Sequence, residues 1–141
     1  MIHYLDTSAA LKLLVQEPES AAIADHLNHI QDVGNDIVSS MLLYTELHCA
    51  AARRGAMSAD AINSVLDVVA LVDVERVDLT RAATSAWGLR NADAIHLAAA
   101  LRLEADAMLT YDAELTRAAR RAGIAVDLPV PPTSTGPGSS G

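Results

Sequence analysis

Apolar positions along the chain change period repeatedly, and each change of period marks an element. Residues 2–5 are a short apolar run enclosing Tyr4, which reads as a strand; Thr7-Ser8 opens a helix through Leu14, and Pro18 closes it. Residues 19–30 place Ala22, Ile23, Leu27 and Ile30 on one face of a second helix. Ile37-Val38-Ser39 reads as a brief strand, Ser40 as a cap, and residues 41–54 as a helix stopped by Gly55. Ser58 caps another helix carrying Ile62, Val65, Leu66 and Val69, and residues 70–77 show the β-branched alternation Val72, Val74, Val77 of a strand. Thr80 begins a helix through Trp87 with a break near Gly88, and residues 91–104 form the next one. A strand at 107–110, a helix at 112–122 ended by Gly123 and a last strand at 124–128 follow. Strand and helix alternate throughout.

Such alternation predicts an α/β class with a mainly parallel sheet of about five short strands, because parallel neighbours require crossover helices that cover both faces. The 141 residues suffice for one domain, expected at 1–128; residues 129–141 hold only Pro, Val, Thr, Ser and Gly and predict a flexible tail. With 51% hydrophobic residues, seven Gly and five Pro, the composition excludes fibrous and disordered classes. No apolar run approaches membrane length, and the amino terminus lacks a basic region before an apolar stretch, so the expectation is a cytoplasmic, membrane-free protein. The single cysteine, Cys49, makes neither an internal disulfide nor a multi-cysteine zinc site. A net charge of −8 opposes loose binding to a polyanion unless local patches or bound cations reverse its sign.

Ligand sites in open parallel sheets form beyond the carboxyl ends of the strands. Asp6 ends the first expected strand, and Asp112 follows the strand at 107–110 by two residues. Asp93 begins the helix preceding that strand. Eleven helical steps from Asp93 to Glu104 cover about 16 Å, and five strand steps from Ala107 to Asp112 return about the same distance. Asp93 and Asp112 therefore share a level. Glu46, about one and a half turns into its helix, has a side chain long enough to reach back to the same rim. Either these are four unrelated surface acids or they share one place. Carboxylates about 4 Å apart repel by about 1 kcal/mol in water and about 4 kcal/mol at an effective dielectric of 20. Divalent cations reverse that penalty, and a set of hard oxygen donors without cysteine selects Mg²⁺ or Mn²⁺ over zinc.

Leu5-Asp6-Thr7-Ser8-Ala9, Thr45-Glu46-Leu47, Asn91-Ala92-Asp93-Ala94-Ile95-His96-Leu97-Ala98 and Leu109-Thr110-Tyr111-Asp112 occur in the order and spacing of PIN-domain ribonucleases. The chain resembles in particular the VapC-type toxins of bacterial toxin–antitoxin pairs, over about residues 1–128. The resemblance implies a three-layer α/β/α PIN fold, Mg²⁺- or Mn²⁺-dependent endonucleolytic cleavage of RNA, a homodimer, and inhibition by a cognate VapB-type antitoxin. It puts the family's four acids on Asp6, Glu46, Asp93 and Asp112, with Asp6 and Asp93 as the direct metal ligands. Glu46 and Asp112 then complete the shell through water, recruit a second ion or orient the attacking water. The family's hydroxyl positions fall on Ser8 and Thr110, which would fix carboxylate rotamers.

Other residues have plainer readings. Thr7 is expected only to cap its helix, His96 to pack beside the sheet or to serve as a base, His26 and His29 to lie on a solvated helix face, and Cys49 to fill a small core position. The aromatics Tyr4, Tyr44, Tyr111 and Trp87 are scattered, with Tyr111 the best candidate for stacking on a base. Arg53-Arg54 and Arg117-Arg120-Arg121 read as solvated helix ends, with reception of RNA phosphates as the alternative. Two other functions compete with this one. A haloacid-dehalogenase-type phosphatase needs a second Asp two residues after the first, where this chain has Ser8; a non-cleaving module that binds nucleic acid or protein remains open.

Overall fold

The computed structural model describes residues 1–55 and 57–129, so the tail expected at 129–141 lies, apart from Pro129, outside the described residues. Five strands form one sheet in the order β3-β2-β1-β4-β5, and all four pairings are parallel. They are β1 (Ile2–Leu5), β2 (Asp36–Ser40), β3 (Ala70–Val72), β4 (Ala107–Leu109) and β5 (Ala125–Val126). Between them run α1 (Thr7–Leu14), α2 (Ser20–Asp32), α3 (Met41–Arg54), α4 (Ala59–Leu66), α5 (Arg76–Thr84), α6 (Asn91–Arg102) and α7 (Ala113–Arg121). This is the expected α/β architecture.

Alternation along the central strands divides the core. Leu5, Ile37 and Leu109 join Ala9, Ile23, Leu27, Ile30, Leu43 and Leu47 on one side. Tyr4 and Met108 face the other way, onto Leu97, Ala99 and Ala100 of α6 and Leu115, Ala118 and Ala119 of α7. Four of those six helical residues are alanines. Helices therefore cover both faces, and the layers are α/β/α.

One segment departs from the sequence reading. The strand expected at 70–77 ends at Val72, and α5 begins at Arg76, four residues before the helix start expected at Thr80. The cause is a capping box: the Glu75 side chain accepts from the backbone at Asp78, and the Asp78 carboxylate accepts from the Glu75 amide at 2.9 Å. Asp78 is then locked by Arg102, whose Nε and Nη2 donate to its two oxygens at 2.9 and 3.0 Å. Local capping and one distant ion pair override the β-branched pattern of Val74 and Val77, and Val77 is left on the exposed surface of the helix.

Cys49 is exposed on α3 and not the small core residue expected. His26 is likewise no freely solvated group, since Nε2 lies 2.9 Å from the Asp127 carboxylate, which also stands 3.1 Å from His3 Nδ1. That cluster ties α2 and β1 to the segment after β5. No helix among the described residues is long and apolar enough to cross a membrane.

Candidate functional site

The parallel sheet sends the ends of β1 and β4 to one edge, where Asp6 and Asp112 each cap the helix that follows. Asp6 Oδ1 accepts from the Ala9 amide at 3.0 Å, and Asp112 Oδ1 from the Leu115 amide at 2.8 Å. The cap of α1 is thus Asp6 and not Thr7. An N-cap needs extended backbone and an acceptor oxygen, which an aspartate at a strand end supplies.

Two hydroxyls hold Asp6 further. Thr110 Oγ1 donates to Oδ2 at 2.7 Å, and Ser8 Oγ lies 2.8 and 3.0 Å from the two oxygens. Ser8 Oγ in turn accepts from the Tyr111 amide at 2.8 Å, and Thr110 Oγ1 from the Asp112 amide at 3.1 Å. The loop after β4 is therefore stitched to the start of α1. Asp6 is 1% exposed and has no cationic partner within ion-pair distance among the described residues. Burial raises its pKa, an effect only partly offset by the Ala9 amide, the His96 charge and the two hydroxyls.

Asp93 enters from the first turn of α6, at the same edge. Its pKa is also raised, first by burial and then by the charges of Asp112 and Asp6. Both aspartates are therefore close enough to repel it. The guanidinium of Arg90 stands 3.8 Å from Asp93 Oδ2 and 3.8 Å from Asp112 Oδ2, on a side chain 82% exposed. An open cleft of about 510 Å³ lies here, lined by Glu46, Arg90, Asn91, Ala92 and Asp93.

Glu46 reaches this cleft from α3, held by two groups to which the sequence reading gave lesser roles. Thr7 Oγ1 donates to Glu46 Oε1 at 2.6 Å, and His96 Nε2 lies 2.7 Å from the same oxygen. An ionised carboxylate only accepts, so Nε2 carries the proton. His96 Nδ1 is 2.7 Å from the buried Tyr4 hydroxyl, which also reaches Ser40 Oγ at 3.1 Å. Ser40 precedes α3 without capping it through its side chain. Burial pushes the pKa of Glu46 up, but the hydrogen bond from His96, the His96 charge and the Thr7 hydroxyl outweigh it, and the net shift is downward. For Tyr4, burial dominates and carries the phenol to about 12.

Asp6, Glu46, Asp93 and Asp112 thus gather at one edge of the sheet, with Ser8 and Thr110 on Asp6. Among the described residues no three acid, His or Cys side chains stand grouped so that they could hold a metal ion. The donor set is nonetheless oxygen-rich, and its mutual repulsion at Asp93 leaves negative charge that a cation would compensate. Arg90 was not among the candidate residues, and Thr7 holds Glu46 where only a helix cap was expected. Arg90 directly precedes the Asn-Ala-Asp motif, and Thr7 follows Asp6, so position along the chain was the available signal. Arg53 and Arg54, at the far end of α3 from this edge, do not rim the cleft.

A family profile described as PIN domain matches residues 3–121. Ribonuclease VapC46 of Mycobacterium tuberculosis is 39% identical over 133 residues, covering 89% of this chain and 96% of that protein. Among solved structures, VapBC2 from Rickettsia felis bound to a DNA fragment from their promoter has a TM-score of 0.67 at 16% identity, covering 90% of this chain and 98% of the matched one. VapC20 of Mycobacterium tuberculosis, a sarcin-ricin loop cleaving toxin, has a TM-score of 0.65 at 16% identity, covering 90% of this chain and 99% of the other. With a profile spanning most of its length, relatives of this identity and solved structures of the same fold, the chain belongs to the PIN-domain family, in its VapC branch.

Proposed function

We propose that this chain is the ribonuclease toxin of a toxin–antitoxin pair, hydrolysing RNA phosphodiester bonds with a divalent cation held by Asp6, Glu46, Asp93 and Asp112. The observation that carries the reading is Asp6, a fully buried carboxylate facing hydroxyls and other acids where a structural carboxylate would have a cation. The names of the VapC relatives support RNA as substrate, and the VapBC neighbour supports a VapB-type antitoxin as partner.

A Mg²⁺ or Mn²⁺ held by these carboxylates would supply Lewis-acid polarisation of the phosphate and a more acidic water. The chain's own residues prepare the place. Ser8 and Thr110 hold the Asp6 rotamer, and the Asp112 amide in turn holds Thr110. Thr7 and His96 keep Glu46 ionised, which makes it a fixed negative charge and an acceptor, not a proton donor. Arg90, long-armed and exposed above two carboxylates, is the guanidinium placed to turn toward the substrate phosphate. A homodimer and an antitoxin helix both need apolar surface. Val77 and Leu79 are exposed on α5, beside a groove of about 390 Å³ lined by Leu79, Ala82, Ala83, Leu89 and Ile95.

The test is cleavage of RNA by purified protein with Mg²⁺ or Mn²⁺ and with EDTA. Loss of an outer group around a metal already costs about 10–100-fold, so Asp93→Asn is expected to lower the rate by at least about a hundredfold while the fold persists. An Asp93→Asn protein that cuts at the parent rate overturns the assignment, and a parent that binds RNA without cutting it favours the non-cleaving module.

A further inference from the structure

A further cleft, of about 190 Å³, is lined by Trp87, Gly88, Leu89, Glu114, Arg117 and Arg121. We propose that it is a binding site for single-stranded RNA flanking the scissile bond, with a base against the Trp87 indole and phosphates on Arg117 and Arg121. This deepens the ribonuclease reading and rests on it. The loop that lines this cleft runs Trp87-Gly88-Leu89 directly into Arg90, which stands over Asp93 and Asp112. The helix that forms the opposite wall, α7, is capped by Asp112 itself. Arg117 and Arg121 lie one turn apart on one face of α7, about 6 and 12 Å from its start. Both cations therefore trail away from the acid cluster along a single line.

The chemistry matches a nucleic-acid strand. Among the described residues neither Arg117 nor Arg121 has an ion-pair or hydrogen-bond partner, in contrast to Arg90 and Arg102. Glu114 also lines the cleft, so these three side chains sum to one net positive charge on a protein whose total is −8. Guanidinium groups suit phosphate by their paired donors. Trp87 packs partly on the α6–α7 core, which steadies the indole while part of it faces the cleft. Positive φ angles at Ala86 (54°) and Gly88 (72°) bend the chain on either side of it. A volume below the roughly 300–1,000 Å³ of small-molecule pockets suits one flat group and not a whole metabolite. Base stacking on an aromatic is sequence-tolerant and contributes about 1–3 kcal/mol per base.

Trp87 is the chain's only tryptophan, so its emission reports this cleft alone. The full chain is titrated in EDTA, where the strand stays intact, with a fluorescein-labelled oligouridylate read by anisotropy and an unlabelled one read by tryptophan emission. Emission is expected to change along the same isotherm as anisotropy. Replacing both arginines (Arg117→Ala with Arg121→Ala) is expected to weaken binding about tenfold and to reduce the slope of log affinity against log salt by about 1.4, at about 0.7 per phosphate contact on a single strand. The charge-preserving pair Arg117→Lys with Arg121→Lys keeps that slope. In Mn²⁺ the alanine pair raises KM and leaves kcat near the parent value. RNA that binds without altering Trp87 emission, or equally tightly to the alanine pair, overturns the proposal while leaving the ribonuclease reading standing if the parent still cuts. Emission that answers an acidic peptide and not RNA also overturns it, assigning the cleft to a protein partner. A parent that neither binds nor cuts RNA overturns both readings.

Discussion

Asp6 and Asp78 are the two fully buried acids among the described residues, each 1% exposed, and they sit in opposite surroundings. Asp78 meets a guanidinium. Arg102 donates to both of its oxygens, and the Glu75 amide adds a third bond. Burial alone would raise its pKa, but the Arg102 hydrogen bonds, the Glu75 amide and the charges of Arg102 and Arg81 reverse the sign. Asp6 meets an amide, two hydroxyls and further carboxylates, and its pKa stays raised. Equal burial with opposite electrostatics separates an acid that fastens α5 to α6 from one whose charge the protein leaves uncompensated. An uncompensated buried carboxylate is a position that a bound cation would stabilise.

The sharpest test of that contrast exchanges each acid for its amide. Breaking a buried ion pair by removing one partner costs about 3 kcal/mol, so Asp78→Asn is expected to lower the melting temperature by roughly 10 °C in a chain of this size, with cleavage intact in the folded fraction. Asp6→Asn keeps an acceptor for the Ala9 amide and removes a like charge from beside Asp93, so its melting temperature without divalent ions is expected to hold or rise while cleavage is lost. Melting curves in EDTA paired with an RNA-cleavage assay read both halves. A destabilised Asp6→Asn beside an unperturbed Asp78→Asn would erase the distinction.

The same contrast explains what could be seen before the structure. Strand, turn and helix were legible at β1, α1, β4 and α7 because apolar runs and helix-start residues agree there, and one rule about strand ends then located Asp6 and Asp112. The α5 region was not legible. Val74 and Val77 carry strand propensity, whereas the pair that decides the helix, Asp78 with Arg102, spans residues whose proximity only the fold creates. Thr7 and His96 were undervalued for a related reason: the hydroxyl that follows the cap turns back to Glu46 on another helix, and local spacing carries no information about that direction. The burial expected of Cys49 failed because α3 turns that face to solvent while Leu43, Leu47 and Ala50 face inward.

Acid titration gives the contrast a second reading, with opposite signs. For Asp78, whose folded pKa lies below its unfolded value, the stabilisation is complete above the unfolded pKa of about 3.9 and is lost as pH falls through the folded one. For Asp6 and Asp93, whose folded pKa values lie above the unfolded value, the folded state binds more protons within that window. Their contribution therefore makes stability fall as pH rises from about 4 through the folded values. Denaturation series in EDTA are expected to show Asp93→Asn with a shallower loss on the neutral side than the parent, and Asp78→Asn with a shallower loss on the acid side. Parallel curves for all three proteins would contradict the assignment of the two signs.

Glu46 stands between the extremes, since it is half-buried and is satisfied by a threonine and a histidine instead of an arginine. If its neighbours serve to aim it at a cation, removing one of them should be felt in metal affinity more than in folding. Thr7→Val keeps the side-chain shape at the start of α1 and deletes only the hydroxyl that donates to Glu46 Oε1 at 2.6 Å. Supporting groups of this kind contribute about 10–100-fold in metal affinity, and with His96 still in place the lower end applies: Mn²⁺ is expected to bind about tenfold more weakly, as followed by calorimetry or by the electron-spin signal of the free ion. The melting temperature in EDTA is expected to shift by no more than about 1 kcal/mol would produce, the net contribution of one hydrogen bond. A loss confined to folding stability, with Mn²⁺ affinity unchanged, would move Glu46 into the same class as Asp78: a carboxylate whose partners serve the fold and not a ligand.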